Sequence, residues 1–247
     1  MVTSNALLAG LSASDASALQ PHLKPLHLSQ KTVLFEAGDR ISTVYFPTSA
    51  VVSLVVTLAS GEMTEAAMVG KDGAIGIASA LDGKLALCSA VVQLAGDALV
   101  CDSAAFRGAA LQSENLISKI MRHEQTLFAQ AQQSTACMAN HEIDARLCRW
   151  LLRARDLSGS DQLPFTQEFL AEMLGVRRTS VTTVARTLQE AGIIRYSRGR
   201  IEIVDVEGLR DSACECYETI KEQYGQLFPP PEMTNCFEMS LFARMLN

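Results

Sequence analysis

The sequence predicts an α+β chain: an N-terminal β-roll, that is, a double-stranded β-helix of the cupin-like kind, then one long helix, then a winged helix-turn-helix. Three observations carry this. Short apolar runs of strand length, separated by turn residues, fill positions 31 to 102. A stretch without glycine or proline runs from about 109 to 154. Two short helical patterns meet at a glycine and lead into a hairpin pattern between 166 and 204. The expected units are 1–108 (N-terminal helix and roll), 109–141 (long helix), 142–206 (winged helix-turn-helix) and 207–247 (a helical extension).

In the roll the expected strands are Thr32 to Phe35, Thr43 to Phe46, Ala50 to Leu58, Met63 to Val69, Leu85 to Leu94 and Ala98 to Cys101. Ala37-Gly38-Asp39, Ser60-Gly61, Gly70 to Gly73, Asp82-Gly83 and Gly96-Asp97 supply residues that tolerate tight turns. The long helix carries a heptad seam of Ile117, Ile120, Glu124, Leu127, Ala131, Ser134 and Met138, suited to packing on a second copy of itself. A register on Leu116, Ile120, His123, Leu127, Gln130, Ser134 and Cys137 fits as well, and the helix lying on its own roll is the alternative. Ile117, Ile120, Leu127, Ser134 and Met138 are the candidate homodimer contacts. A second helix, about Glu142 to Asp156, puts Ile143, Leu147, Trp150, Leu151 and Ala154 on one face.

Next comes Thr166, a good N-cap, with Leu170, Ala171 and Leu174 as an apolar face and Gly175 as a left-handed stop. A second helix restarts at about Arg177, with Val181, Val184, Ala185 and Leu188 at helical spacing. Its other face is Arg178, Thr179, Thr182, Thr183 and Arg186. Four consecutive β-branched residues, Val181 to Val184, are poor helix formers, so packing must hold this helix. Short hydroxyl side chains let a backbone approach base edges, and arginine can contact guanine bidentately. Ile193 to Tyr196 and Arg200 to Val204 then read as a hairpin turning at Ser197-Arg198-Gly199, with Arg198 and Arg200 at its tip. Duplex DNA is the expected partner: Arg178, Thr179, Thr182 and Thr183 toward bases, and Arg177, Arg186, Arg198 and Arg200 toward phosphates.

Charge agrees once it is mapped. The chain has 247 residues and a formal net charge of −6, yet residues 146 to 200 hold 10 Lys and Arg against 5 Asp and Glu, between two acidic flanks. Between 176 and 200 only Glu190 opposes six arginines. No secretory leader and no apolar run long enough to span a bilayer are seen, so a cytoplasmic location without membrane contact is expected. No Gly-x-Ser-x-Gly, His-x-x-x-His or Walker-type loop is present, and no enzyme activity is expected. The rival reading is a ligand- or protein-binding roll dimer without DNA affinity.

The order of these parts resembles the Crp/Fnr family of bacterial transcription regulators over about residues 20 to 205. The segment Thr166-Gln167-Glu168-Phe169-Leu170-Ala171-Glu172-Met173-Leu174-Gly175-Val176-Arg177-Arg178-Thr179-Ser180-Val181 and the exit Gly192-Ile193-Ile194 carry the likeness, together with Leu34-Phe35-Glu36-Ala37-Gly38-Asp39. The resemblance implies a homodimer on DNA, with Arg178, Thr179 and Thr183 reading bases and Ser180 touching phosphate, and RNA polymerase as a partner if the chain activates. The chain departs from the family at Thr179 and Thr183, where the best-known members carry an acidic residue and an arginine.

The resemblance also places a possible effector pocket at Gly76, Ile77, Cys88 and Ser89. There the cyclic-nucleotide-binding members have a glutamate and an arginine, and this chain has Gly76-Ile77-Ala78-Ser79 and Cys88-Ser89. An unpaired phosphate in an apolar roll is costly, so cyclic AMP is not an expected ligand. Members with iron–sulfur clusters have cysteines near the N-terminus, whereas the first cysteine here is Cys88. Haem ligation would fall to His22, His27, His123 or His141, each isolated in sequence, and no cofactor is expected. Cys214-x-Cys216 with Cys236 lacks a nearby histidine, so free thiols and no metal are expected. After Phe228-Pro229-Pro230-Pro231, an amphipathic piece at Phe237 to Leu246 completes the extension.

Overall fold

The computed structural model describes residues 3–82 and 85–227. The amphipathic piece expected at 237 to 246, and Cys236, lie outside the described residues. Helices α1 (Ala6–Ala9) and α2 (Ala13–Leu19) come first. Asn5 ties them to the roll, because its Oδ1 accepts from Leu8 N while its Nδ2 donates to Pro47 O and Gly73 O at 2.9 and 2.8 Å.

The roll comprises β1 (Lys24–Leu28), β2 (Val33–Phe35), β3 (Thr43–Pro47), β4 (Val51–Thr57), β5 (Met63–Val69), α3 (Ile77–Asp82), β6 (Ser89–Leu94) and β7 (Gly96–Asp102). Two antiparallel sheets result, ordered β1-β7-β3 and β2-β6-β4-β5. Leu28, Ala50, Val52, Val69, Ile75, Ala90, Val92 and Ala98 fill one core cluster. Strand β1 went unread in the sequence because it does not alternate: four of its five positions are exposed and it contains Pro25. Edge placement on β7 tolerates the missing N–H. The strand expected from Leu85 forms only from Ser89, and α3 forms in a segment left unassigned between the turns at Gly70 to Gly73 and Asp82-Gly83.

Helix α4 (Ser103–Ala110) leads into α5 (Glu114–Asn140), 27 residues long. Leu116, Ile120, His123, Thr126, Gln130, Ser134 and Cys137 of α5 are buried within the chain itself. This corrects the seam at two positions: Ile120 (1% exposed) and Ser134 face their own fold, because the stripe they belong to covers the roll and a later helix. Leu127 is half-buried and packs on the inter-sheet cluster, Ile117 is half-buried against the cluster that holds Leu116 and Ile120, and Met138 is half-buried. The outward stripe instead runs Met121, Glu124, Phe128, Ala131, Thr135 and Met138, with Met121 and Phe128 63% and 65% exposed.

The C-terminal part comprises α6 (Ile143–Ser158), β8 (Gln162–Leu163), α7 (Gln167–Leu174), α8 (Arg178–Glu190), β9 (Ile194–Ser197), β10 (Arg200–Ile203), α9 (Val206–Asp211) and α10 (Cys216–Leu227). A single apolar cluster runs from Val51, Val55, Met68 and Leu94 of the roll through Trp150 and Leu151 of α6 to Leu170, Val181 and Ile201. Trp150 packs edge-on against Phe165 at 4.8 Å. The helical extension expected from 207 onward breaks between α9 and α10, and Cys214 lies in the break.

Candidate nucleic-acid interface

Thr166 caps α7, its hydroxyl accepting from Phe169 N at 3.2 Å. Gly175 stops α7 at φ +62°, a left-handed conformation that a β-carbon would strain, and that carbon would also meet Thr64 Oγ1 at 2.9 Å. Arg146 of α6 donates to Leu174 O, meeting one of the carbonyls that a helix end leaves unpaired. Helix α8 restarts at Arg178 and buries Val181, Ala185 and Leu188.

The opposite face is open. Arg177, Arg178, Thr179, Thr182, Thr183 and Arg186 are all exposed, and Ser180 is half-buried at the edge. Thr187 extends the same face by one turn and was not singled out in the sequence; its spacing of four from Thr183 was the available signal. Two of the hydroxyls expected at base edges are already engaged. Thr182 Oγ1 donates to Gln167 Oε1 at 2.7 Å, with Arg178 O also in reach at 3.0 Å, and Thr183 Oγ1 lies 3.1 Å from Thr179 O. Arg178 and Arg186 also have partners, Glu168 at 3.4 Å and Glu190 at 2.7 Å. Exposed pairs of this kind are worth about 0–1 kcal/mol, so phosphate or guanine can displace the carboxylates cheaply.

The wing is a two-residue hairpin. Arg198 and Gly199 have φ +49° and +77°, and Ser197 pairs with Arg200, the pattern of a type I′ turn. Arg198 and Arg200 flank the tip, and Arg195 pairs with Glu202 at 3.4 Å along the hairpin. The roll borders this surface. A cleft of about 470 Å³ is lined by Leu58, Glu62, Met63 and Thr64 of the β4–β5 hairpin and by Glu168, Glu172, Arg177 and Arg178.

Of the four residues expected to mark an effector pocket, none is among the lining of the cleft beside them. Ile77 is buried among Ile41, Val44 and Phe46, and Ser89 Oγ accepts from Ala37 N at 3.1 Å. Gly76 lies against Ile41 and Phe35, and Cys88 is half-buried with its thiol pKa raised by burial. The neighbouring cleft, about 240 Å³, is lined by Leu34, Phe35, Asp39, Arg40, Ile41 and Thr43, among others. Of the candidate haem ligands, His22 and His27 are exposed and His27 pairs with Asp97 at 2.8 Å. Buried His123 accepts from Ala74 N at Nε2, 3.0 Å.

The comparisons agree with this geometry. The profile of the Crp-like helix-turn-helix domain matches residues 145–212. No curated protein sequence matches the chain significantly. Among solved structures, a Crp/Fnr-family protein from Eubacterium rectale is 17% identical with a TM-score of 0.65, over 86% of this chain and 97% of its own. FixK2 from Bradyrhizobium japonicum is 14% identical with a TM-score of 0.66, over 78% and 98%. A CRP-family transcriptional regulator from Thermus thermophilus is 21% identical with a TM-score of 0.63, over 76% and 96%. Residues 145–212 are thus a Crp-like helix-turn-helix domain, and the chain as a whole has the fold of the Crp/Fnr transcription regulators.

Proposed function

We propose that the chain regulates transcription as a homodimer that reads a pseudo-palindromic duplex operator. The observation that carries this is the pairing of an open Arg and Thr face on α8 with a two-arginine type I′ wing beside it. Arg178, Thr179, Thr182 and Thr183 address base edges; Arg177, Ser180, Arg186, Arg198 and Arg200 address phosphates. Two copies joined along the outward stripe of α5 would present two α8 helices to successive major grooves about 34 Å apart. The roll carries neither the glutamate nor the arginine with which the family's cyclic-nucleotide-binding members hold their ligand, so it does not take cyclic AMP. Among the described residues no helix is long and apolar enough to cross a membrane. A regulator of this kind acts where its operator lies, in the bacterial cytoplasm. An activator would in addition touch RNA polymerase.

Selection of random duplex DNA by the purified, effector-free protein at moderate salt tests this. A dyad-symmetric consensus is expected. Enrichment of nothing, with binding that does not weaken as salt rises, would favour a roll that binds only ligand or protein.

A further inference from the structure

The cysteines left without a histidine in sequence acquire one in the fold. Cys137 lies in the last turn of α5, His141 follows that helix directly, Cys214 sits in the link between α9 and α10, and Cys216 opens α10. Their donor atoms, Sγ of the three cysteines and a ring nitrogen of His141, all lie within 4.8 Å of one another. Cys137 Sγ is 3.5 Å from Cys214 Sγ, and Cys216 Sγ is 3.5 Å from His141 Nδ1. Tetrahedral coordination with bonds of about 2.3 Å to sulfur and 2.0–2.1 Å to nitrogen sets ligand atoms roughly 3.6–3.8 Å apart. A disulfide needs sulfurs at about 2.05 Å, far closer than this pair.

We propose that Cys137, His141, Cys214 and Cys216 form a closed Cys3His site for a zinc-type divalent cation, which clasps the end of α5 to the link between α9 and α10.

The surroundings of the four ligands support a metal rather than four idle side chains. His141 presents Nδ1 to the cluster while its Nε2 lies 3.2 Å from Glu215 Oε1, the carboxylate support that metal-bound imidazoles characteristically have. Gln133 Nε2 reaches Cys216 Sγ at 3.0 Å, a donor suited to a thiolate. A dication with three thiolates and a neutral imidazole carries one net negative charge. Arg149, on helix α6 packed against α10, is 8% exposed and keeps a buried Nε without a hydrogen-bond partner, a cation that an anionic metal–thiolate centre would offset better than neutral thiols. Cys137 and Cys216 have no exposure and Cys214 only 8%, so the protein fills all four positions and the site is structural. Thiolate sulfur with imidazole selects zinc over magnesium or calcium, which take oxygen ligands.

The position gives the site its consequence. His141 sits at the junction of α5 and α6, where the long helix hands over to the DNA-reading part, so the clasp fixes the direction of one relative to the other. That consequence rests on the proposed function; the metal site itself does not.

The test uses the reduced, metal-free, full-length protein titrated with Co2+ alone. One ion per chain is expected, with the intense visible bands of tetrahedral cobalt–thiolate, bleached by Zn2+ and accompanied by a higher melting temperature. Cys137→Ser and Cys216→Ser should abolish the bands, while Cys88→Ser and Cys101→Ser leave them unchanged. Glu215→Gln should weaken cobalt binding about tenfold or more. His141→Cys, which adds a thiolate instead of removing a ligand, should keep a tetrahedral spectrum with stronger sulfur-to-metal charge transfer. A wild-type protein that binds no cobalt, binds it octahedrally, or keeps its spectrum after Cys137→Ser overturns the proposal. The readout contains no DNA, so its failure is distinct from failure of the operator selection.

Discussion

Arg178 and Arg198 look alike in charge and exposure but differ in what the backbone does beneath them. Arg178 opens α8 and is steered by Glu168 across the helix-turn-helix, so its guanidinium is aimed where the helix would meet base edges. Arg178→Ala should relax selectivity at one base pair of each half-site, at a cost of about 1–3 kcal/mol. The selected consensus checks this, and an unchanged consensus would take Arg178 out of the readout. Arg198 occupies a left-handed position that a non-glycine residue adopts at about 1–2 kcal/mol. Asparagine tolerates that region better, so Arg198→Asn should raise the melting temperature and weaken binding to all sequences alike, with a shallower salt dependence. A change in sequence preference would make the wing a base reader.

Elements were legible where one periodicity had one possible partner. The α7–α8 turn, the wing and the face of α6 carrying Trp150 formed as expected because glycine placement and apolar spacing left no alternative. Helix α5 was legible as a helix and not as an interface. Two heptad registers fit its sequence, and the one through Leu116, His123, Gln130 and Cys137 covers its own chain. Burial by the roll and α10 decided between them, and no local pattern contains that information. The Cys3His cluster was hidden for a similar reason, since Cys137 and Cys214 are brought together only by the packing of α5 against the elements that follow β10.

The division of α5 into two faces gives opposite expectations for neighbouring substitutions. Phe128→Glu puts a charge on the outward stripe and should yield a monomer with nearly unchanged melting temperature. Ile120→Ala empties a buried site and should cost about 2–5 kcal/mol of stability while the surviving protein still dimerises. Sedimentation and thermal melts on both variants check the pair, and a dimeric Phe128→Glu would move the interface elsewhere.

At the scale of the whole molecule, the roll and the helix-turn-helix part share one apolar cluster and a set of polar ties across it. Arg153 of α6 pairs with Asp72 at 2.5 Å, donates to Met68 O at 3.2 Å, and stacks on Tyr224 of α10 at 4.6 Å, while Gln130 of α5 reaches the Tyr224 hydroxyl at 3.0 Å. Glu65 of β5 is buried, accepting from Trp150 Nε1 at 2.9 Å and from Ser53 Oγ. Burial raises its carboxyl above the usual range, against the lowering effect of Ser53, Arg149, Trp150 and Arg153. The folded state therefore holds this proton more tightly than the unfolded chain. Its stabilising contribution is fully present below the ordinary carboxylate pKa and is lost as pH rises through the raised folded value. Glu65→Gln keeps an acceptor for Trp150 without the ionisation, so it should remove that part of the pH dependence and melt at or above the wild type on the alkaline side. Because Glu65 and Trp150 come from the two halves, the same melts should show one transition by both tryptophan fluorescence and far-ultraviolet dichroism. Separate transitions would mean that the roll and the helix-turn-helix part are not coupled through this contact, and an unchanged pH profile would remove Glu65 as its cause.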